Sequence, residues 1–138
     1  MRRLTAGALL LLGVLLCAYG PGTAETGRRV MLIYVSAWDC VYCAQWERFS
    51  QPPWEKSEIR QDIDFRIVKA AAFRSVDDDR YWPRDIRWVR DALKIRRGTP
   101  RFVVVVDGTI VLHRFGTGAW DQEIYPALER AVLKTRPE

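Results

Sequence analysis

Two short and almost wholly apolar runs constrain the fold of this chain more than any other feature. Residues 30–35 read VMLIYV and residues 102–106 read FVVVV. Runs of this length, rich in β-branched residues, are typical of strands that are buried on both faces of a sheet. Helical patterns stand between and after them. The sequence therefore predicts an α/β fold, in which helices cover both faces of a central mixed sheet.

The remaining pattern extends this sheet. Residues 64–70 alternate as a strand does, and Asp107-Gly108 is a strong hairpin signal, so residues 109–115 are predicted to pair antiparallel with the preceding strand. Helices are predicted for residues 40–49, 54–63, 83–97 and 119–134, the first two parted by Pro52-Pro53 and the third ended by Gly98. The two pieces on either side of the prolines count as one helical unit. The predicted order is β-α-β-α-β-β-α in one domain.

Apolar spacing predicts which helix faces are buried. In the first helix Tyr42, Trp46 and Phe49 stand at i, i+4 and i+7, and are predicted to face the core. A similar stripe in the third helix is formed by Ile86, Val89 and Leu93. Five tryptophans are predicted to pack in the core or at its rim, namely Trp46, Trp54, Trp82, Trp88 and Trp120.

Composition and charge exclude several classes of protein. The chain has 138 residues, 49% of them hydrophobic and 28% charged, which fits one globular domain and not a disordered chain. A net charge of +5 is too small to indicate a nucleic-acid partner by itself. Three cysteines are too few for a disulfide-stapled scaffold, and a four-ligand zinc site would also need His113 and a carboxylate.

The first 24 residues have the pattern of a secretory signal. Arg2 and Arg3 precede an apolar run over residues 4–18, and residues 19–24 are small and rich in breakers. The alternatives are an uncleaved anchor and a buried helix, although the run is short for a membrane span. Cys17 follows Leu16, where a lipidated cysteine needs a small residue before it. Cleavage after Ala24 would leave residues 25–138 as a periplasmic or secreted domain with two cysteines.

Those two cysteines form the motif Trp38-Asp39-Cys40-Val41-Tyr42-Cys43, between the first strand and the first helix. Free backbone N–H groups and the helix dipole at a helix start favour a thiolate on the first cysteine. The second lies one turn along, within reach of the first. We expect Cys40 to attack a disulfide and Cys43 to resolve the mixed disulfide. A metal site and an inert structural disulfide are the alternatives.

These residues resemble the redox motif of thioredoxin-like thiol-disulfide oxidoreductases, and the resemblance covers essentially the whole mature chain. Gly98-Thr99-Pro100 matches the family's cis-proline loop, Asp107-Gly108 its hairpin, and Gly116 the small residue after its last strand. The resemblance implies that Pro100 is cis and lies against the cysteine pair. It also implies that the backbone of Thr99 pairs with an extended protein substrate. Trp38 is close enough to the motif to contact that substrate.

The resemblance also implies partners. The substrates are protein thiols and disulfides, and a membrane-bound or soluble donor recycles the pair, with no dissolved cofactor. Two departures bear on the reaction. Tyr34 stands where cytosolic thioredoxins carry a buried acid, so the proton of Cys43 must leave through water, Glu47 or another group. Asp39 disfavours a thiolate on Cys40, which favours a reductase over an oxidase or isomerase. The periplasmic disulfide isomerases carry a dimerisation domain, and this chain has no room for one, which also argues against an isomerase.

Two further features have competing interpretations. Residues 80–101 contain eight basic residues against two acidic ones, which indicates either a solvated helix face or a surface that steers an acidic partner or supports the Cys40 thiolate. His113 is a weak candidate for a copper ligand beside Cys40 and Cys43, and more often such a residue only packs. A different class of function also fits: a binding module without enzymatic activity, in which Cys40–Cys43 is a permanent structural disulfide and the basic residues form the working surface.

Overall fold

The computed structural model describes residues 29–134; the predicted signal over residues 1–24 and Cys17 lie outside them. Four strands form one sheet: β1 (Val30–Ala37), β2 (Ile63–Ala70), β3 (Arg101–Val106) and β4 (Thr109–Phe115). The helices are α1 (Val41–Phe49), α2 (Gln51–Glu55), α3 (Arg87–Ala92), α4 (Thr117–Ala119) and α5 (Tyr125–Leu133). A π-helical turn, Trp120–Ile124, joins α4 to α5.

The two apolar runs lie at the centre of the sheet, whose strand order is β2-β1-β3-β4. β1 is parallel to β2 and antiparallel to β3, and β3 is antiparallel to β4. Val35 pairs with Arg101, so the C-terminal end of β1 and the N-terminal end of β3 lie side by side. We call this end of the sheet the cysteine edge. The segments that leave this edge carry the cysteine motif and the Gly98-Thr99-Pro100 loop.

Alternation along the strands divides the core into two parts. One part, which we call the α1 side, is largely aromatic. It contains the buried residues Leu32, Tyr34, Cys43, Trp46, Trp54, Phe102, Val104, Trp120, Ile124, Leu128 and Val132. Tryptophan rings pack edge-on against each other there, with 5.0 Å between the ring centres of Trp46 and Trp120. Three of the five tryptophans that were predicted to pack are buried on this side.

The other part of the core, the α3 side, is mainly aliphatic. Its buried residues are Ile33, Val35, Ala37, Val68, Ala70, Val76, Trp82, Ile86, Val89, Leu93, Val103 and Val105. The predicted stripe of Ile86, Val89 and Leu93 is therefore confirmed. Trp82 is buried here and donates its indole N–H to the carbonyl of Val76 at 2.7 Å, whereas Trp88 is 42% exposed and belongs to neither part of the core.

Several details of the helices differ from the sequence prediction. Pro52 and Pro53 lie in the first turn of α2 instead of between two helices. The helix predicted over residues 54–63 is replaced by the end of α2 and a 3₁₀ turn, Glu58–Asp62, and β2 begins at Ile63.

Only Cys43 and Trp46 are buried on α1, so the predicted apolar stripe is correct at Trp46 and wrong at Tyr42 and Phe49, which are exposed. Helix α3 ends at Ala92 instead of at Gly98, and residues 93–100 run as an irregular segment to β3. Pro126 falls in the first turn of α5, as expected of a proline that delays the regular helix.

The order β-α-β-α-β-β-α and the mixed sheet with helices on both faces confirm the predicted thioredoxin-like fold. Within residues 29–134, no helix is long and apolar enough to span a bilayer.

Candidate active site

Cys40 and Cys43 are joined by a disulfide at the start of α1, with their Cα atoms 5.2 Å apart. Cys40 is the N-cap residue, and its sulfur accepts a hydrogen bond from the backbone N–H of Cys43 at 3.1 Å. The backbone of Cys40 is fixed from both directions, since its N–H donates to Ala37 and its carbonyl accepts from Ala44. The first sulfur therefore lies where free helix N–H groups stabilise negative charge.

The two sulfurs differ in their access to solvent. Cys40 is partly exposed, whereas Cys43 is 1% exposed and belongs to the core of the α1 side. The rim around Cys40 is apolar and open, because Trp38 is 75% exposed and Val41 and Tyr42 are exposed as well. An incoming disulfide can reach Cys40 but not Cys43. This asymmetry fits an attacking and a resolving sulfur.

A polar network lies beneath the disulfide on the α1 side. The hydroxyl of Tyr34 donates to Oε1 of Glu47 at 3.1 Å and lies 3.4 Å from the carbonyl oxygen of Cys43. Glu47 follows Cys43 by one helical turn, so both side chains lie on the same face of α1. Burial, reinforced by the charge of Glu47, raises the pKa of Tyr34, which therefore remains a proton donor. The Tyr34 hydroxyl thus connects the carboxylate of Glu47 with the backbone of the buried Cys43.

Lys69 completes this network, and the sequence analysis did not identify it. Its ammonium lies 2.9 and 2.8 Å from the two carboxylate oxygens of Glu47, and 3.8 Å from the ring centre of Trp38. Strand alternation was the available signal, since Lys69 has the same parity as Phe65 and Ile67 and so lies on the α1 side. Lys69 links the exposed Trp38 to the carboxylate of Glu47.

Asp39 contacts the segment that follows β2. Its Oδ1 accepts the backbone N–H of Phe73 at 2.7 Å, in the turn that follows β2. The carboxylate thus ties the end of β1 to the end of β2. Asp39 is the neighbour of Cys40 in the chain, and its hydrogen bond with Phe73 restricts where the carboxylate lies.

The Gly98-Thr99-Pro100 loop enters the same edge of the sheet. The Thr99–Pro100 peptide bond is cis, Pro100 is buried and Thr99 is partly exposed. Gly98 has φ +123°, and a Cβ atom there would lie 2.7 Å from the ring of Phe115. Only glycine lets the chain pass this ring at that angle. The N–H of Gly116 donates to the carbonyl of Pro100 at 2.9 Å, which fixes the loop from its other end.

Arg101 follows Pro100 and is fully buried on the α3 side, which sequence reasoning missed. Its Nη1 donates to Oδ1 of Asp77 at 2.9 Å, while Nε and Nη2 have no hydrogen-bond partner among residues 29–134. Burial lowers the pKa of Arg101 and outweighs the opposing effect of Asp77. A cation is thus enclosed directly behind the proline loop.

His113 lies on β4, and its ring packs against Phe115 with 4.6 Å between the ring centres. Burial, together with the charges of Arg101 and Arg114, lowers the pKa of His113. The part of the chain that the structure describes contains no group of three or more His, Cys, Asp or Glu side chains arranged to hold a metal ion. The packing interpretation of His113 is the one that its contacts support.

Comparisons with known proteins give fold-level similarity alone. No family model matches the chain, and no curated protein is significantly similar to it in sequence. Similar solved structures include the reduced form of the periplasmic thioredoxin SoxS from Paracoccus pantotrophus, at 17% identity and a TM-score of 0.49, over 79% of this chain and 99% of that one. Another is thioredoxin f (short form) from spinach chloroplast, at 17% identity and a TM-score of 0.48, over 76% of this chain and 78% of that one.

Proposed function

We propose that this chain is an exported thiol-disulfide oxidoreductase that reduces disulfides in protein substrates. The observation that carries the proposal is the asymmetric cysteine pair at the start of α1. Cys40 is partly exposed and caps the helix, while Cys43 is buried above a carboxylate network. A purely structural disulfide has no need of a reachable sulfur at a helix N-terminus.

The first step is attack by the reduced pair on a substrate disulfide. The Cys40 thiolate forms a bond to one substrate sulfur, the substrate S–S bond breaks, and the departing thiolate takes a proton from water. The backbone N–H of Cys43, 3.1 Å from the Cys40 sulfur in the disulfide, is placed to stabilise the thiolate before attack. The product of this step is a mixed disulfide between Cys40 and the substrate.

The second step is resolution by Cys43. Its thiol loses a proton, the thiolate forms the bond to the Cys40 sulfur, and the second substrate thiolate leaves and is protonated. Two electrons pass from the pair to the substrate. Because Cys43 is buried, we assign its proton to Glu47, the carboxylate one turn along α1 that also contacts solvent. The Tyr34 hydroxyl, 3.1 Å from Glu47, orients that carboxylate.

Substrate binding is assigned to the rim of the site. Trp38 offers an exposed ring whose orientation is supported by Lys69. Thr99 offers backbone groups at the edge of the sheet next to β3, where an extended chain can pair, and Pro100 supports that loop from below. These three residues are proposed to contact the polypeptide on either side of its reacting cysteine.

The proposed direction is reduction, and the proposed compartment lies outside the cytoplasm. Asp39 places negative charge beside Cys40, which makes its thiolate less stable than in a strong oxidant. The signal-like pattern of residues 1–24 supports export. In that compartment the oxidised pair needs an external dithiol, membrane-bound or soluble, to supply two electrons for the next cycle. Residues 25–138 are proposed to form the functional unit.

Trapping of the mixed disulfide tests this function. A Cys43→Ser variant should accumulate a covalent adduct with a disulfide-bonded peptide, because Cys40 can attack and nothing resolves the product. A Cys40→Ser variant should form at least tenfold less adduct, since its remaining sulfur is buried. Mass spectrometry of the intact protein reads both. Equal adduct on both variants would exclude the assigned roles, and no adduct on either would favour the binding module with a permanent disulfide.

A further inference from the structure

Six of the eight basic residues in the stretch 80–101 form two groups in the structure; of the other two, Arg80 pairs with Asp78 and Arg84 is exposed. One group is used internally: Arg87 and Arg90 donate to Asp79, and Arg101 donates to Asp77. These three guanidinium groups hold the acidic loop of residues 77–79 against the sheet. Their charges are matched by carboxylates and do not form a free surface.

The second group has no such use. Lys94, Arg96 and Arg97 are exposed, and none of them forms a hydrogen bond or an ion pair with any residue between 29 and 134. With Ile95, which is also exposed, they form a continuous segment that we call the basic loop (residues 94–97). Three cations and one apolar side chain therefore face solvent in four consecutive positions.

The topology places the basic loop at the same edge of the sheet as the cysteine pair. The loop leads through Gly98-Thr99-Pro100 into the start of β3, which pairs with the end of β1. Burial lowers the pKa of Arg101, and the positive charge of Arg96 contributes to the same effect. A polypeptide bound along Thr99 therefore meets the basic loop a few residues from its reacting cysteine.

The charge of Arg101 is paired with Asp77 in the interior, so the positive charge at this edge comes from the exposed cations of the basic loop. The exposed carboxylate nearest in sequence to Cys40 is Asp39, which is bound to the N–H of Phe73 in the turn after β2. The two rims of the site thus differ in charge, and the rim of the basic loop is positive.

We propose that the basic loop is a docking surface for an acidic segment of the disulfide-bearing protein substrate. This inference rests on the proposed function and names the class of substrate for the same site. Carboxylates close in sequence to the substrate cysteine complement Lys94, Arg96 and Arg97, and an apolar residue among them contacts Ile95. Opposite charges of this kind steer encounter and fix which way the chain lies across the site.

The test compares two disulfide-bonded peptides of equal length that differ only in the residues flanking the cysteine, Asp in one and Asn in the other. The second-order rate constants for their reduction are measured with the unmodified protein and with the triple variant Lys94→Gln, Arg96→Gln, Arg97→Gln. A matched triple variant, Lys56→Gln, Arg130→Gln, Lys134→Gln, removes three exposed cations away from the cysteine edge. Thermal melting verifies that each variant is folded.

The unmodified protein and the matched variant are expected to reduce the acidic peptide about tenfold faster than the neutral one at low salt. This preference should fall below about twofold at roughly 0.5 M sodium chloride, because surface charges are then screened. In the basic-loop variant the ratio of the two rates should approach one at all salt concentrations. Equal rates with the unmodified protein, or an unchanged ratio in the basic-loop variant, would overturn the proposal.

A binding measurement separates this proposal from the proposed function. Labelled versions of both peptides, with serine in place of cysteine, cannot exchange disulfides, and fluorescence anisotropy gives their Kd. Tighter binding of the acidic peptide that is lost in the basic-loop variant supports docking even if neither peptide is reduced. Reduction of both peptides without any difference in Kd or rate would leave the oxidoreductase intact and exclude the docking surface.

Discussion

The two sides of the sheet each contain a charged pair next to the cysteine edge, but in opposite settings. On the α1 side, Glu47 and Lys69 are about one-quarter exposed and lie among aromatic rings. On the α3 side, Arg101 is fully buried among aliphatic residues, and its partner Asp77 is one-third exposed. Glu47 and Lys69 contact both solvent and the network beside Cys43. The guanidinium of Arg101, in contrast, has no access to solvent.

Because they differ in exposure, the charged groups on the two sides of the sheet are suited to different roles near the disulfide. A carboxylate that contacts both water and the buried network can gain and lose a proton during a reaction. An enclosed guanidinium stays protonated and acts as a fixed positive charge. The α1 side is therefore suited to proton transfer, and the α3 side to holding the acidic loop of residues 77–79 against the sheet.

The largest effect on stability is expected from the aromatic core of the α1 side. Trp46 is buried and packs with Tyr34, Phe102 and Trp120 at 4.3, 5.2 and 5.0 Å between ring centres. Trp46→Ala should lower the free energy of unfolding by about 3–5 kcal/mol. Urea denaturation measures this loss of stability, and Trp88→Ala, at an exposed position, is the control. Similar losses of unfolding free energy in both variants would show that the aromatic core contributes no more to stability than an exposed tryptophan.

The buried pair of the α3 side should respond unequally to loss of its two members. Asp77→Ala leaves the Arg101 guanidinium unpaired in the interior and should cost about 3 kcal/mol, the low end of the range because Asp77 is partly exposed. Arg101→Leu removes the charge and its two unpartnered N–H groups, and should change stability by less than about 1 kcal/mol. Chemical denaturation of both variants measures the two changes in the free energy of unfolding. If Arg101→Leu were the more damaging change, the ion pair itself would stabilise the fold, and the cost of Asp77→Ala could not be assigned to an unpaired buried cation.

The network of the α1 side is expected to show its effect in kinetics. Glu47→Gln keeps the shape of the side chain but cannot accept a proton from Cys43, so resolution of the mixed disulfide should slow about tenfold near neutral pH. The deficit should shrink as pH rises, because the thiol then ionises without help. Stopped-flow measurement of the mixed-disulfide lifetime reads this, with the exposed Glu58→Gln as the control. An identical pH profile in Glu47→Gln would assign the proton to water.

The smallest expected effect is the pH dependence contributed by His113. Its pKa is lower in the folded protein than the usual value of about 6.5, so the unfolded chain binds more protons as pH falls. The stability it supports is complete above about pH 6.5 and declines as pH falls toward the folded pKa. His113→Gln should flatten this part of the unfolding free-energy profile, measured from pH 7.5 to 5. An unchanged slope would place the titration in another group.

Much of the fold could be predicted because each strand and turn has a local signal. The apolar runs, the Asp107-Gly108 turn and the cysteine motif are each contained in a few neighbouring residues. The face of α1 could not be predicted in the same way. Tyr42 and Phe49 are apolar enough for a core, but both are exposed, and spacing alone does not show which of the three residues faces the sheet.

The charged pairs were beyond sequence reasoning for a related reason. Lys69 reaches Glu47 only because β2 lies parallel to β1 in one register and α1 crosses that side of the sheet. Arg101 looks like one more member of a basic stretch, and its burial depends on where Asp77 lies. Such contacts join residues more than 20 positions apart, and no local pattern specifies them.

The reduction potential of the Cys40–Cys43 pair tests the central claim most directly. A protein of residues 25–138, the proposed functional unit, is equilibrated in glutathione and dithiothreitol buffers, and the fraction of closed disulfide is measured by thiol labelling. A reducing oxidoreductase predicts a potential near that of thioredoxin, roughly −270 mV. A potential near roughly −120 mV, typical of a disulfide donor, would contradict the reducing direction and the effect assigned to Asp39.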